Sequence, residues 1–182
     1  MTPRPSAKTL QSPTLYLYGD NMDHYVTSGR QSVSIEEFQH RSRKVASGLA
    51  EIGVTEGDSV ALLLRNDIAF LEATFGASLL GAYPVPVNWH FKQTEIQYIL
   101  DNCKAKVLVA HSDLIPKLPI PLPKHVQIIL VSTPPEIQKS YNLTPEQCAP
   151  TNGQTVWDHW RDQFTPWNKP PAAERGSMIY TS

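Results

Sequence analysis

Residues 53–66 have the sequence GVTEGDSVALLLRN, and the run of five apolar residues at 60–64 within it decides the fold. A strand with one face in water alternates apolar and polar residues, whereas a strand covered on both faces of a parallel sheet is apolar throughout. We therefore expect a buried parallel strand at 60–64.

The segment before this strand has the pattern of an amphipathic helix. Ser34 and Glu37 have the spacing of a capping box, and Gly53 suits the left-handed residue that ends a helix. Between them, apolar residues recur at helical spacing, at Ile35, Phe38, Val45, Leu49 and Ile52.

The segment after the strand predicts a second helix, because Asn66 and Asp67 can cap its start and Gly81 can end it. Its apolar stripe comprises Ile68, Leu71, Phe75 and Leu79. Residues 83–87 then resemble a strand, but they include two prolines, which places this strand at an edge or in an irregular turn.

The alternation of helices and strands continues further along the chain. A third helix should start near Thr94, and residues 107–110 and 126–131 are further buried strand candidates. Strands and helices that alternate with short links are typical of right-handed βαβ crossovers. The sequence therefore predicts an α/β fold, with a layered, mostly parallel sheet and helices on both faces.

The first residues and the proline-rich region are expected to be peripheral. Strands are predicted at 14–18 and around Val26 and Val33, with the turn of a small hairpin at Ser28-Gly29. Prolines crowd residues 116–150, so most of that region should be irregular surface around one strand.

Two features are expected near the carboxyl end. Val156, Trp157, Trp160 and Phe164 predict a short helix with an aromatic face. Residues 178–182 resemble a strand that runs into a loop.

The composition excludes several classes of function. The 16 Lys and Arg and 17 Asp and Glu give a net charge of −1, with no basic stretch for a phosphate backbone, so nucleic acid is not an expected partner. The first ten residues lack the apolar core of a secretory signal, and the longest apolar run contains prolines, so we expect a cytoplasmic protein without a transmembrane segment. Cys103 and Cys148 lie too far apart for a disulfide framework or metal-ligand spacing, and we assign no metal ligand to this chain.

Familiar catalytic motifs do not appear in the sequence. It has neither the GxGxxG turn of dinucleotide-binding folds nor the GxxxxGK[ST] phosphate loop, and it lacks a GxSxG nucleophile elbow. From the residues alone, the interpretation ends at a cytoplasmic α/β domain without a visible active site.

Four blocks together resemble a known family. Residues 53–66 are similar to its GV..GD.VA.....N signature, residues 76–88 (GASLLGAYPVPVN) to its GA..VPVN block, and residues 95–108 (EIQYILDNCKAKVL) to its EI.YIL.....AKVL block. Residues 179–182 (IYTS) resemble the start of its phosphate-binding loop. In order and spacing, the blocks resemble the AMP-forming acyl-CoA synthetases of the adenylate-forming ligase and luciferase superfamily.

This resemblance implies that the chain is the incomplete amino-terminal part of the large adenylation domain. Residues 1–182 would be a partial AMP-binding domain, with the opening hairpin and helix of one subdomain at 1–53. An α/β subdomain would follow at 54–175, and the strand leading into the phosphate loop would start at 176–182. The first helix is expected to pack mainly against sequence outside this chain.

The resemblance also implies an activity. The full enzyme would use ATP, Mg²⁺ and CoA to convert a carboxylic acid, with a fatty acid favoured, first to an acyl-adenylate and then to a thioester. Thr181 and Ser182 would bind the nucleotide phosphates, no catalytic residue is assigned within this chain, and the chain alone is expected to be inactive. Two alternatives stay open: an adenylation domain that loads a carrier protein, and a non-catalytic interaction remnant.

Several individual residues allow two interpretations. Asn88, Trp89 and His90 would line an acyl or CoA passage, but a structural role is favoured, as a helix-entry cap with Trp89 packed in the core. For Arg65, a surface or capping role is favoured over binding of an anion. Asp58 and Asp67 are expected to serve turns and caps.

Overall fold

The computed structural model describes residues 24–118, 122–150, 153–173 and 175–180. The predicted strand at 14–18 and the candidate residues Thr181 and Ser182 lie outside these ranges. The elements in chain order are β1 (Tyr25–Ser28), β2 (Gln31–Ser34), α1 (Ile35–Glu51), β3 (Ser59–Leu63), α2 (Ile68–Leu79), β4 (Tyr83–Pro86), α3 (Gln93–Cys103), β5 (Val107–His111), a 3₁₀ helix (Ser112–Lys117), β6 (Gln127–Val131), α4 (Pro135–Tyr141), α5 (Pro145–Cys148) and α6 (Trp157–Arg161).

The central sheet is parallel, with the strand order β4-β3-β5-β6. Every residue of β3 and of β5 is buried, as the continuous apolar run predicts. Alternate residues of β3 face two separate apolar cores: Val60 and Leu62 pack with α1, α2 and α6, whereas Ala61 and Leu63 pack with α3. The predicted α/β fold with helices on both faces is therefore confirmed.

The edge position of β4 is a consequence of its prolines. The N–H groups of Tyr83 and Val87 donate to the carbonyl oxygens of Asp58 and Leu62. The alternate residues Pro84 and Pro86 therefore direct their backbone groups to the free edge. Pro84 and Pro86 have no N–H there, and the carbonyl oxygen of Pro84 accepts a hydrogen bond from Met178 N–H at 3.0 Å. At this edge β4 offers carbonyl acceptors but no N–H donors, so a neighbouring segment can form only some of the hydrogen bonds of a regular strand pair. Residues 175–180 accordingly form no strand, contrary to the prediction for 178–182.

Helix α1 belongs to the main core, so the expectation that it packs mainly against sequence outside the chain is wrong. Its residues Val45, Ala46 and Leu49 are buried in the same core as β3. The Ser34 side chain accepts from Glu37 N–H, as predicted, but the Glu37 carboxylate turns to Arg41 instead of completing the capping box. The division at residue 53 stays a prediction.

The buried face of α2 differs from the predicted stripe. Leu71, Phe75 and Leu79 are only half-buried. Of the predicted stripe only Ile68 is buried, and the rest of the buried face carries small residues and one carboxylate, namely Ala69, Glu72, Ala73, Gly76 and Ala77. Because these side chains are small, α1 can approach α2 closely, and a Cβ atom on Gly76 would lie 2.5 Å from Val45 Cγ1.

We expect Gly76→Ala to destabilise the chain by about 1–2 kcal/mol, because overpacking against the stiff Val45 side chain outweighs the gain in helix propensity. Thermal and urea unfolding followed by circular dichroism measure the change. Val45→Ala removes the nearest clashing atom, Cγ1, and leaves the Val45 Cβ at 2.9 Å from the added Cβ, so the double variant should lose less stability than the two single losses added together. Simple additivity of the two losses would contradict the close contact.

The proline-rich region contains more helix than predicted. The 3₁₀ helix, α4 and α5 all lie within 116–150 or at its border, and α4 and α5 have proline in their first turn. Proline lacks only an N–H that would be unpaired at this position, so it starts a helix well. The predicted aromatic helix is confirmed as α6, whose Trp160 packs against Gly48 of α1.

Candidate functional site

Polar and aromatic residues collect where the four parallel strands end. Arg65 follows β3, Trp89 follows β4, Asp113 follows β5 and Thr133 follows β6, each two or three positions after the strand. With Tyr141 from α4 they form one group, which we name the strand-end cluster. Ligands of parallel α/β sheets bind at this edge, so the cluster is the candidate site.

A buried ion pair forms the base of the strand-end cluster. Arg65 Nη1 donates to Asp113 Oδ1 at 2.9 Å and Nη2 to Oδ2 at 2.7 Å, and the two side chains are 9% and 3% exposed. Thr133 Oγ1 donates to Asp113 Oδ1 at 2.7 Å. Burial disfavours the charged carboxylate, but the hydrogen bonds from Arg65 and Thr133 prevail and lower the pKa of Asp113. The favoured surface or capping role for Arg65 is therefore wrong.

The aromatic rings of Trp89 and Tyr141 lie next to the guanidinium of Arg65. Arg65 Cζ lies 5.0 Å from the centroid of the Trp89 ring and 4.5 Å from that of Tyr141. The two rings meet edge to face at 5.3 Å. The cation–π attraction is strong here because the guanidinium is shielded from water.

The buried side chain of His111 connects the backbone of Arg65 to the carboxylate of Asp67. Arg65 N–H donates to His111 Nδ1 at 3.1 Å, so the neutral ring carries its proton on Nε2, which donates to Asp67 Oδ2 at 2.9 Å. Asp67 Oδ1 accepts from Phe70 N–H and caps α2, as predicted. Sequence analysis did not single out His111, because an imidazole at the end of an apolar strand carries no local signal.

Asn88, Trp89 and His90 form a turn after β4 and not the cap of a helix. Asn88 Oδ1 accepts from His90 N–H at 3.0 Å, and the next helix starts only at Gln93. Trp89 is half-buried against the core, Asn88 and His90 are exposed, and the His90 ring stacks on Trp89 with centroids 3.5 Å apart. The expected core packing of Trp89 is thus partial, and the expected capping role is wrong.

A second buried polar group lies between α1, α2 and α6. Glu72 Oε2 accepts from Arg161 Nη1 at 3.1 Å and from Trp157 Nε1 at 3.2 Å, and Arg41 Nη1 lies 3.8 Å from Glu72 Oε1. Burial raises the pKa of Glu72, and Arg161 and Trp157 offset this only in part. These side chains border a cleft of about 530 Å³ that opens between the β1–β2 hairpin and α6.

Three further features of the described residues concern metal-ligand groups, the cysteines and Asp58. Among the described residues, no group of three or more His, Cys, Asp or Glu side chains could hold a metal ion. Cys103 and Cys148 are buried free thiols, and burial raises the pKa of each. The turn residue Asp58 accepts from Thr55 and pairs with Lys106, as expected of a structural carboxylate.

Comparison with known proteins gives a consistent result. The family model described as AMP-binding enzyme matches residues 18–182. The chain is 32% identical over 108 residues to 4-coumarate–CoA ligase 3 of Arabidopsis thaliana, and 35% identical over 68 residues to the long-chain-fatty-acid–CoA ligase FadD13 of Mycobacterium tuberculosis. These alignments cover 59% and 37% of the chain.

A solved structure has the same fold. The anthranilate CoA ligase AuaEII in complex with anthranoyl-AMP superposes with a TM-score of 0.63 at 22% identity, over 79% of the chain. The chain spans 18% of the Arabidopsis ligase, 14% of FadD13 and 25% of AuaEII.

Proposed function

The chain belongs to the AMP-binding enzyme family, and from this premise we propose that it forms part of an acid–CoA ligase that activates a fatty acid with ATP. In the first step the substrate carboxylate attacks the α-phosphate of ATP, which yields an acyl-adenylate and pyrophosphate. In the second step the thiol of CoA attacks the acyl carbon and AMP leaves. The observation that carries the proposal is the family match over 18–182.

The fatty-acid substrate is supported by one relative and left open by others. FadD13 acts on long-chain fatty acids according to its name, whereas the Arabidopsis and AuaEII ligases are named for 4-coumarate and anthranilate. All three names denote carboxylic acids joined to CoA. The three names therefore agree on the reaction type, and the name of FadD13 alone supports an aliphatic substrate.

Thr181 and Ser182 are proposed to bind the phosphates. Hydroxyl and backbone donors in such a loop stabilise the charge that develops during transfer of the nucleotide. Mg²⁺ supplied with ATP would share this task. We assign no Mg²⁺ ligand to the described residues.

Asn88, Trp89 and His90 are proposed to line the acyl or CoA passage. They lie at the carboxyl edge of the sheet, and the polar side chains of Asn88 and His90 are exposed while Trp89 is anchored.

Within the described residues no helix is long and apolar enough to cross a membrane. We propose the cytoplasm, where ATP and CoA are both available, as the site of action.

The 182-residue chain alone is expected to release no pyrophosphate from ATP and palmitate above background, since the phosphate loop is represented only by Thr181 and Ser182. A coupled pyrophosphate assay measures this. The product of the complete reading frame that contains these residues should be active in the same assay. Pyrophosphate release by the chain alone would contradict the inactivity, and an inactive complete product would favour the non-catalytic alternative.

The acceptor is decided by identifying the thioester product, because pyrophosphate is released before either acceptor reacts. Formation of palmitoyl-CoA by the complete product supports the ligase, whereas acylation of a phosphopantetheinyl carrier protein and not of CoA supports the adenylation-domain alternative. Benzoate and 4-coumarate serve as comparison acids, and faster turnover of either would replace the fatty acid as substrate.

A further inference from the structure

We infer that Arg65 is a positioning residue that sets the plane of the Trp89 ring and, through it, the plane of the His90 ring. The inference rests on the proposed function, because Trp89 and His90 are the proposed lining of the acyl or CoA passage. It adds to that function a residue that would not touch the ligand.

The polar partners of Arg65 fix the orientation of its guanidinium independently of the aromatic rings. Both of its terminal nitrogens bind the Asp113 carboxylate, and Asp113 is held in turn by Thr133. The backbone of Arg65 is tied to His111. A planar group held by two parallel hydrogen bonds has one orientation, so its faces have fixed directions.

The turn that carries Trp89 is closed by a backbone hydrogen bond from Phe91 N–H to the Asn88 carbonyl oxygen and by side-chain contacts. It follows the last residue of β4, and the Trp89 carbonyl oxygen accepts from Lys117 Nζ at 2.6 Å. The Trp89 ring itself meets the Arg65 cation and the edge-to-face Tyr141 ring. Lys117 Nζ also lies over the ring, but at 5.8 Å from its centroid against 5.0 Å for Arg65 Cζ, and the ammonium has no flat face to set a plane. We therefore assign the orientation of the ring to Arg65 and the position of the backbone to Lys117.

The orientation of the Trp89 ring determines the orientation of the exposed His90 ring, because the two rings are stacked. The His90 ring stacks on Trp89 at 3.5 Å with an angle of 33° between the planes. A rotation of the indole would carry the imidazole with it or break the stack. The buried pair of Arg65 and Asp113 thereby controls the direction of a solvent-exposed ring at the edge of the sheet.

Lysine cannot replace arginine in this role. An ammonium group is compact and strongly hydrated, so it cannot bind a carboxylate through two parallel hydrogen bonds while it presents flat faces to aromatic rings. Arg65→Lys keeps the charge and removes the geometry, which makes it a sharper variant than a deletion of the side chain.

The test is ¹⁹F NMR of the 182-residue chain labelled with 5-fluorotryptophan, in which Trp89→Phe assigns one of the four tryptophan signals. In Arg65→Lys, we expect the Trp89 signal to shift toward that of the free amino acid, with Trp157, Trp160 and Trp167 unmoved. Arg43→Lys is the matched control, because Arg43 is exposed and donates to the Trp167 carbonyl oxygen. An unmoved Trp89 signal in folded Arg65→Lys, or an equal shift in Arg43→Lys, would overturn the inference.

A measurement on the unaltered chain covers the case in which Arg65→Lys does not fold. The Nε proton of Arg65 should be displaced by the ring currents of Trp89 and Tyr141, and this displacement should shrink in Tyr141→Leu. A proton signal at the ordinary arginine position would overturn the inference.

The proposed passage is tested separately from Arg65. CoA added to the labelled product of the complete reading frame, in which Trp89→Phe again assigns the signal, should shift the Trp89 signal if the passage lies there. A signal that CoA leaves unmoved would remove the passage assignment, whereas the role of Arg65 is decided by the spectra without ligand.

Discussion

Replacing Glu72 with alanine is expected to lower the free energy of unfolding by about 1–3 kcal/mol, because it leaves the buried Trp157 N–H without its acceptor. It also removes one of the three carboxylates around Arg161, which keeps Asp158 and Asp162. Glu72 is 1% exposed and accepts hydrogen bonds from both Arg161 and Trp157. This one carboxylate therefore joins α2 to α6. Urea unfolding followed by circular dichroism and tryptophan fluorescence measures the loss.

The controls separate the buried pair from the loss of any glutamate. Glu51→Ala removes an exposed carboxylate from α1 and should change the stability by no more than about 0.5 kcal/mol. In Glu72→Met/Arg161→Met both buried charges are replaced by apolar groups of similar length, so the double variant should be more stable than Glu72→Ala. If Glu72→Ala unfolds at the same urea concentration as Glu51→Ala, the network carries little energy.

Replacing Asp113 with asparagine is expected to cost more, about 3–5 kcal/mol at neutral pH, since it leaves the buried Arg65 guanidinium without its carboxylate partner. The variant also changes the pH dependence. Because the pKa of Asp113 is lowered in the folded chain, its contribution is present above the ordinary value near 3.8 and is lost as the pH falls through the folded value. Unfolding experiments from pH 6 downward measure both effects.

The sign of the pH effect provides the check on Asp113. The unaltered chain should lose stability steeply as the pH falls below about 5, whereas Asp113→Asn should show a shallower loss. Asp101→Asn, which removes an exposed carboxylate of α3, is the control and should retain the steep dependence. Parallel curves for the unaltered chain and Asp113→Asn would show that the carboxylate is not stabilised by folding.

Local patterns were sufficient for most of the framework. The apolar run at 60–64, the Asp67 cap and the helical stripe of α1 depend on residues a few positions apart, and the structure confirms each. The two prolines of β4 predicted an edge or an irregular turn for the same reason, because a missing N–H is a property of the residue itself, and the structure has the edge.

The orientation of α2 could not be derived in this way. Its sequence carries apolar residues on more than one face, so periodicity alone does not select the buried side. The close approach of α1 at Gly76 selects the face with small residues, and this face brings Glu72 into the core. A glutamate in a helix predicts exposure until its partners Arg161 and Trp157 are in place.

The sequence by itself determined the order of strands and helices from β1 to β5, the family and the proposal that Thr181 and Ser182 bind phosphate. Only the tertiary structure decided that Arg65 is buried, that Asp113 is its partner and that Trp89 and Tyr141 enclose it. The physical reason is distance along the chain: Asp113 lies 48 residues after Arg65, and Arg161 lies 89 residues after Glu72. Such groups meet only when parallel strands bring their carboxyl ends to one edge and helices pack across the sheet, and no local pattern records those encounters.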